Sequence, residues 1–499
     1  MPQNRSPDTV AALDLGSNSF HLIVARLRGG EVHVVDRLRE MVRLGAGLTA
    51  GGILLDPAQR RALECLERFG QRLRDLPPGT VRAVGTKTLR TALNADAFLD
   101  KAERLLGHPI EIISGVEEAR LIYHGVSRAL AFDERRRLVM DIGGGSTELI
   151  IGENGAPLIM ESLDMGCVSM SQKHFKSGKI TPKSFRRAVL AAQVELEPVE
   201  IELRRGRWEE AVGASGTLRA IDKILREAGW SQSGITPAGL QRLAEATLAC
   251  GHVERLKLPG LNPERAPVFP GGLAILLATF QALGVERMTV SDGALREGLL
   301  YDLLGRIRHE DVRERSVAHL AQRFHADNAH AKRVVATLRH CLAQISSPPP
   351  LDAEESAQWL DWAAALHEIG LDIAHHQHHK HGAYIVENAD LPGFSQQEQQ
   401  RLAMLVRAHR RKFPLKLFKE LAPPWNKTAV PLACLLRLAV LLNRGRGAGA
   451  LPDFVFRLED TGMVVRFPTG WLAEHPLTEA DLVQEAAHLQ EAGLRLEYS

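Results

Sequence analysis

Two short stretches carry residue types suited to phosphate chemistry. Asp14-Leu-Gly-Ser-Asn-Ser19 and Asp141-Ile-Gly-Gly-Gly-Ser-Thr147 each set an aspartate before a glycine-rich turn with small hydroxyl residues. Glycine lets the main chain approach an anion closely, and consecutive amides can then surround its oxygens. The aspartate would face the same space and orient a divalent cation or a water. A tight hairpin explains one such turn as well as phosphate does. Two of them, 127 residues apart at the ends of apolar runs, point to an internally duplicated unit. A third loop, Gly213-Ala-Ser-Gly-Thr217, follows a strand-like run and opens a helical one, the geometry of an anion site at a helix N-terminus.

The surrounding pattern supplies elements to hold these loops. Apolar runs at 10–15, 20–27 and 31–44, separated by Gly, Asn and Ser, predict an antiparallel meander. Further strands are predicted at 80–86 and 109–114, with helices at 57–74 and 94–106. The theme repeats at 137–141, 146–152 and 157–163. Short strands alternating with amphipathic helices indicate α/β layers up to about Leu304. The charged run Arg306–Arg315 predicts a boundary. Beyond it, three-to-four spacing of Leu, Val and Ala predicts helices at 319–324, 329–345, 355–370, 384–389, 396–410 and 430–442. Ser346–Pro350 and Pro423-Pro424 break this series. A hairpin turning at Asp460-Thr-Gly462, a helix at 478–492 and a strand at 494–498 close the chain. The predicted domains are 1–130, 131–308, 309–449 and 450–499.

Composition narrows the class. In 499 residues, 62 Lys and Arg against 60 Asp and Glu exclude a histone-like binder and an acidic tail protein. Aromatic residues at 5% argue against a base-stacking single-strand platform, so no specific nucleic-acid partner is expected. Cys65, Cys167, Cys250, Cys341 and Cys434 form no CxxC pair, which disfavours a disulfide framework or a thiolate zinc site. The start lacks the architecture of a secretory signal, and no apolar run reaches the roughly 18 residues of a membrane span, so a cytoplasmic location is expected. Twelve of the 20 histidines fall between His309 and His409.

Seven motifs in order then identify a family. Asp14–His21 (DLGSNSFH), Gly85–Arg90 (GTKTLR), Ser114–Arg120 (SGVEEAR), Asp141–Glu148 (DIGGGSTE), Met165–Val168 (MGCV), Gly213–Thr217 (GASGT) and Ser291–Gly298 (SDGALREG) closely resemble the exopolyphosphatase/guanosine pentaphosphate phosphatase family. That resemblance implies two actin-like lobes of ribonuclease-H type closing on a phosphate cleft, then an all-α region and a small α+β domain. It implies Glu117 as the general base toward water and Arg90 as a phosphate clamp. Glu118 would be a bystander favouring the helix dipole. Asp14, Asp141 and Glu148 would stand near magnesium, with a monovalent cation such as potassium as a further cofactor. Ser17, Asn18, Gly143, Gly144, Gly145 and Ser146 would bind phosphate. The family also implies a homodimer.

The helical region is similar to the HD-type phosphohydrolase fold, with changes. His330 opens a suitable helix, but the acidic partner of His367 is Glu368, and Asn443 stands where an aspartate belongs. Weakened carboxylate donation argues for a scaffold without its catalytic metals. Between Arg401 and Arg446, eleven Lys and Arg face one acid, Glu420. The expectation is a polyanion track including Arg410, Arg411, Lys412, His378 and His379. Of the activities the resemblance implies, the long chain with this basic stretch favours a magnesium-dependent, processive exopolyphosphatase acting on inorganic polyphosphate. Hydrolysis of guanosine pentaphosphate is the alternative; a kinase or chaperone on the same fold and a non-enzymatic binder rank lower.

Overall fold

A computed structural model describes residues 9–28, 31–130, 134–307, 311–345, 353–421, 425–447, 451–459 and 461–499. The breaks at Ser346–Pro350 and Pro423-Pro424, the turn residue Asp460 and the domain edges at 131, 308–309 and 449–450 lie partly or wholly outside the described residues. The chain divides into two compact units, Met1–Glu310 and Asp311–Ser499.

The first unit holds two sheets of the same plan. One contains β1 (Thr9–Leu15), β2 (Phe20–Arg28), β3 (Glu31–Glu40), β4 (Val81–Gly85) and β5 (Ile110–Ile112), in the order β3-β2-β1-β4-β5. The other contains β6 (Arg137–Ile142), β7 (Thr147–Glu153), β8 (Ala156–Leu163), β9 (Glu210–Gly213) and β10 (Met288–Val290), and from its β8 edge reads β8-β7-β6-β9-β10. In both, three antiparallel strands join two parallel ones, so the duplication read from the glycine loops extends to the topology. The third strand stops at Glu40, short of the predicted Leu44; Val42 and Leu44 are buried in the loop beyond it.

Alternation along the strands positions the polar residues. Ala11, Leu13 and Leu15 pack into the core of the first lobe, whereas Val10 and Ala12 enter a central core shared by both sheets. Asp14 continues the second set, so it faces inward between the lobes. In β6, Leu138, Met140 and Ile142 fill the second lobe's core while Val139 joins the central one, and Asp141 follows Val139.

Two helices, Gly115–Ala129 and Leu295–Ile307, contribute Leu121, Ile122, Leu299 and Leu300 to that central layer. Their backbones nearly touch: a Cβ on Gly298 would collide with the Leu121 carbonyl oxygen, and one on Gly125 with that of Ala294. A buried ionic cluster sits on the same pair. Arg120 donates to both oxygens of Glu117, Nε to Oε2 at 2.7 Å and Nη2 to Oε1 at 2.8 Å, and also to Asp302. Arg82 of β4 pairs with Asp302 and reaches Glu117 Oε1 at 3.6 Å. Burial opposes the charge on Asp302, yet Arg120, Arg82 and Arg306 hold its carboxyl far below the ordinary carboxylate range.

The second unit has one core that runs from Val317 to Leu496, so the helices and the small sheet pack together. Among the described residues its longer helices are Val312–Arg323, Asn328–Leu342, Ala353–Leu366, His378–Asn388, Gln396–Ala408, Trp425–Leu442 and Pro476–Gln490. The first begins within the charged run, where Asp311 caps it by accepting from the Arg313 amide at 2.9 Å. Arg437 is fully buried: Nε and Nη2 bond Glu485 of the last long helix at 2.5 and 2.8 Å, and Nη1 donates to the Ala408 carbonyl at 2.5 Å. Pro263–Leu283 and Trp425–Leu442 are long and apolar enough to span a membrane, but most of each is buried in a core.

Removing one member of the ionic cluster strands two buried guanidiniums. Asp302→Ala is therefore expected to lower the unfolding free energy by about 3–5 kcal/mol, read from urea denaturation. A loss below about 1 kcal/mol, as for a surface pair, would show that the cluster does not hold the helices together.

Candidate active site

The sequence-predicted loops converge on one cavity of about 340 Å³ in the first unit. Its floor depends on missing side chains. A Cβ on Gly144 would lie 2.8 Å from Ser17 Cβ and 3.1 Å from the Asn18 amide nitrogen, so the two glycine loops can meet only without one. Ser17, Asn18, Gly143, Gly144, Gly145 and Ser146 all line the cavity, as do Asp14 and Asp141. The third loop joins them: Ser215 caps the helix Gly216–Glu227 by accepting from the Leu218 amide at 3.2 Å, and Ala214 to Thr217 form part of the wall.

The two neighbouring glutamates are placed opposite to expectation. Glu117 is fully buried, with its carboxylate committed to Arg120 and Arg82, and does not line the cavity. Glu118 is 7% exposed and does line it. The cause is helical geometry: successive residues are turned by about 100°, so a helix that locks Glu117 onto the ionic cluster presents Glu118 to the cleft. The structure thus places Glu117, the expected base, in the buried ionic cluster and its neighbour Glu118 at the cavity.

Arg90 stands beside Glu118. Its Nη1 donates to the Ile113 carbonyl at 2.7 Å and reaches Glu118 Oε2 at 3.4 Å, so it is tied to the main chain and to a carboxylate and is not among the residues lining the cavity. Glu148 accepts from Ser162 Oγ at 2.9 Å and is coupled electrostatically to Glu118 and Asp141.

Crowded, buried acids hold protons tightly. Burial first, then repulsion from Glu118, lifts Asp141 to about 7. Burial, Glu118 and Asp141 raise Asp14 well above its usual range, and burial raises Glu118 against the pull of Arg90 and Lys87. Asp14 Oδ1 and Asn18 Oδ1 are buried with no hydrogen-bond partner among the described residues. Such acceptors suit a hard divalent cation.

The cavity also has a cationic lining that was not read from the sequence. Arg37, Arg39, Arg219, Arg265 and Arg296 form it, and Arg39 and Arg265 have no carboxylate partner among the described residues. Burial and then Arg39 push Arg265 down to about 10. His21 lies among them, lowered to about 3 by burial and by Arg296 and Arg39, so its ring is neutral. Arg296 Nη1 donates to its Nδ1 at 3.1 Å, which leaves Nε2–H for Ser19 Oγ at 2.8 Å. His21 pairs with Asp14 across β1 and β2 as Glu148 pairs with Asp141 across β6 and β7. That shared seven-residue spacing was the available signal for His21. The arginines come from separate loops and carry none.

In the second unit the expected polyanion track is partly present. Arg410, Arg411, Lys412 and His379 line a groove of about 1040 Å³. His378 does not; it is buried, its Nδ1 lies 3.2 Å from the His375 carbonyl oxygen, and its Nε2 takes a hydrogen bond from Arg410 at 3.2 Å. Arg437, Arg444 and Arg446 also leave the track, because Glu485, Asp481 and Glu368 respectively hold them.

Comparison with known proteins agrees with this geometry. The model of the Ppx/GppA phosphatase family matches residues 23–307, and that of Ppx/GppA phosphatase domain III matches 312–486. The guanosine-5'-triphosphate,3'-diphosphate pyrophosphatase of Aeromonas hydrophila is 42% identical over 97% of this chain and 97% of its own. The protein of the same name from Vibrio atlanticus is 39% identical over 99% and 98%. The crystal structure of an exopolyphosphatase from Cytophaga hutchinsonii is similar in fold, with TM-score 0.54 at 24% identity, covering 60% of this chain and 98% of that one. Matched by the family model over most of its first unit and by relatives along nearly all its length, the chain belongs to the Ppx/GppA phosphatase family.

Proposed function

We propose that the chain hydrolyses guanosine pentaphosphate at the terminal 5′ phosphate, releasing orthophosphate and the tetraphosphate. The carrying observation is a cavity lined both by glycine loops with carboxylates and by five arginines. A linear phosphate chain entering end-on needs one set of phosphate ligands. A nucleotide with phosphates on both its 5′ and 3′ oxygens needs two, and arginine forks suit the second. The names of the relatives support the same reading. Inorganic polyphosphate remains a second reading, favoured by the Lys- and Arg-lined groove of the second unit.

In this reading Glu118 accepts a proton from water as its oxygen bonds to the terminal phosphorus, and the bridging P–O bond breaks toward the neighbouring phosphate. The amides of Gly144 and Gly145 and the hydroxyl of Ser17 hold the terminal oxygens in line, while the Gly143 amide, bonded to the Ser146 carbonyl at 2.9 Å, fixes the loop. Asp14, Asp141 and Glu148 would hold magnesium, which supplies charge neutralisation on the phosphate oxygens. Arg90 keeps Glu118 oriented, and Glu117 acts as a positioning residue through its helix.

Three outcomes follow. Glu118→Gln lowers kcat by roughly 10²–10⁴ while leaving nucleotide binding measurable, whereas Glu117→Gln shows its main effect as lost stability in urea denaturation; the reverse pattern would return the base to Glu117. Arg265→Met raises KM for guanosine pentaphosphate roughly tenfold to a hundredfold, as expected for a charge-assisted hydrogen bond worth about 1.5–3 kcal/mol, and changes KM for short polyphosphate less. Equal effects on both substrates would remove the arginines from nucleotide recognition. The third outcome concerns pH. Asp141, near 7 when folded and about 4 when unfolded, makes the folded metal-free chain bind more protons between those values, so its contribution to stability falls as pH rises through that window. Thermal unfolding at pH values above the window is therefore expected to show metal-free Asp141→Asn melting above the metal-free parent, with magnesium stabilising the parent more. An unchanged pH slope in the variant would contradict the placement of Asp141.

A further inference from the structure

Lys87 does not line the hydrolytic cavity, yet its surroundings are those of a phosphate ligand. It opens the short helix Lys87–Thr91, between Thr86, which lines the cavity, and Thr88, whose hydroxyl donates to Ser17 Oγ at 2.7 Å. Its stem lies along the second glycine loop. A Cβ on Gly145 would meet Lys87 Cγ at 2.9 Å and Ser17 Oγ at 3.1 Å, so the lysine stem and the serine hydroxyl occupy the space that the glycine leaves. The ammonium is close enough to Glu118 for its charge to oppose the rise in that carboxyl's proton affinity.

The ammonium itself rests on Asp164, which follows β8 in the second lobe. The two side chains are 26% and 69% exposed. An ion pair this open is worth little, because water screens it and two flexible side chains must be held in one geometry. The chain around Asp164 is nevertheless anchored to the glycine loop. The next carbonyl, of Met165, accepts from Thr147 Oγ1 at 2.5 Å, and the amides of Cys167 and Val168 donate to the Gly143 and Gly144 carbonyls at 2.9 Å. Asp164 therefore holds the ammonium beside the loop proposed to seat the terminal phosphate. Arg90, the cation expected to clamp that phosphate, is tied to the Ile113 carbonyl and to Glu118. Asp14, Glu118 and Asp141 line the same cavity, so a phosphate entering it needs a positive partner, and a flexible lysine that is loosely held suits that task.

We propose that Lys87 is a phosphate ligand that waits on Asp164 in the free chain and moves to the oxygens of the phosphate on Gly144 and Gly145 when substrate binds. Rotation about its outer bonds carries the ammonium across while its stem stays against Gly145. It gives up a surface ion pair and gains a charge-assisted hydrogen bond to phosphate, so the exchange favours the bound state. Asp164 competes with substrate for the charge that it keeps at hand. This inference rests on the phosphatase reading of the cavity and holds for a nucleotide or a polyphosphate chain alike.

The test is steady-state kinetics with magnesium on guanosine pentaphosphate and on tripolyphosphate, for the full chain and three variants. Lys87→Met should lower kcat/KM roughly tenfold to a hundredfold, the effect of losing one hydrogen bond to a charged group. Asp164→Asn should raise kcat/KM by up to about fivefold, the reach of a surface pair. The double variant should match Lys87→Met, because Asp164 acts through the lysine. A pair that merely braces the two lobes would instead make both single variants slower. The ratios are read on whichever substrate the parent hydrolyses, so a parent active on tripolyphosphate alone would overturn the nucleotide reading and leave this test intact. Urea midpoints check that the variants are folded; should Lys87→Met fail that check, the sign of the Asp164→Asn effect decides. Lys87→Met at the parent's rate, Asp164→Asn no faster than the parent, or a double variant faster than Lys87→Met would overturn the proposal.

Discussion

Two guanidiniums and two carboxylates buried together at the crossing of Gly115–Ala129 and Leu295–Ile307 constrain everything else in the first unit. Charges out of water must be paired with good geometry, so Arg120, Glu117, Asp302 and Arg82 admit few alternative arrangements. The glycines at the crossing let the helices come close enough for those bonds to form. Once Glu117 is tied down, the helix cannot rotate without breaking buried ion pairs. Glu118 then has one direction available, toward the glycine loops. The cluster matters less for the stability it contributes than for the orientation it imposes.

The duplicated sheet supplies the second half of the arrangement. Equal strand order and equal alternation bring Asp14 with His21 and Asp141 with Glu148 to matching places. The two halves differ in charge. One pairs its aspartate with a neutral histidine ringed by arginines, the other with a glutamate that cannot easily ionise beside Asp141 and Glu118. From one repeated fold the chain thus obtains one aspartate beside a neutral histidine and arginines and one beside carboxylates.

Much of this was legible in the sequence, because periodicity and glycine loops are local. Eight of the ten strands in the two sheets and the three phosphate-type loops followed from runs such as TVAALDL and DIGGGST, whereas the short strand Met288–Val290 gave no pattern of its own. What failed were decisions that need partners far along the chain. Glu117 and Glu118 look alike until Asp302, 182 residues from Arg120, takes its place. The charge excess between Arg401 and Arg446 looked like a surface strip, but Glu485, Asp481 and Glu368 hold three of its arginines. The histidines near His367 were judged by the acids that were missing, while their burial against one another is a matter of packing that spacing does not reveal.

The central claim is that Glu118, oriented by the locked Glu117, meets the terminal phosphate. A crystal structure of the full chain grown with magnesium and orthophosphate tests this directly. The account predicts phosphate against the Gly143–Gly145 and Ser17–Asn18 loops, the Glu118 carboxylate within hydrogen-bond reach of it, and Glu117 still bidentate on Arg120. Phosphate bound elsewhere, or Glu117 released from Arg120 to contact it, would contradict the account.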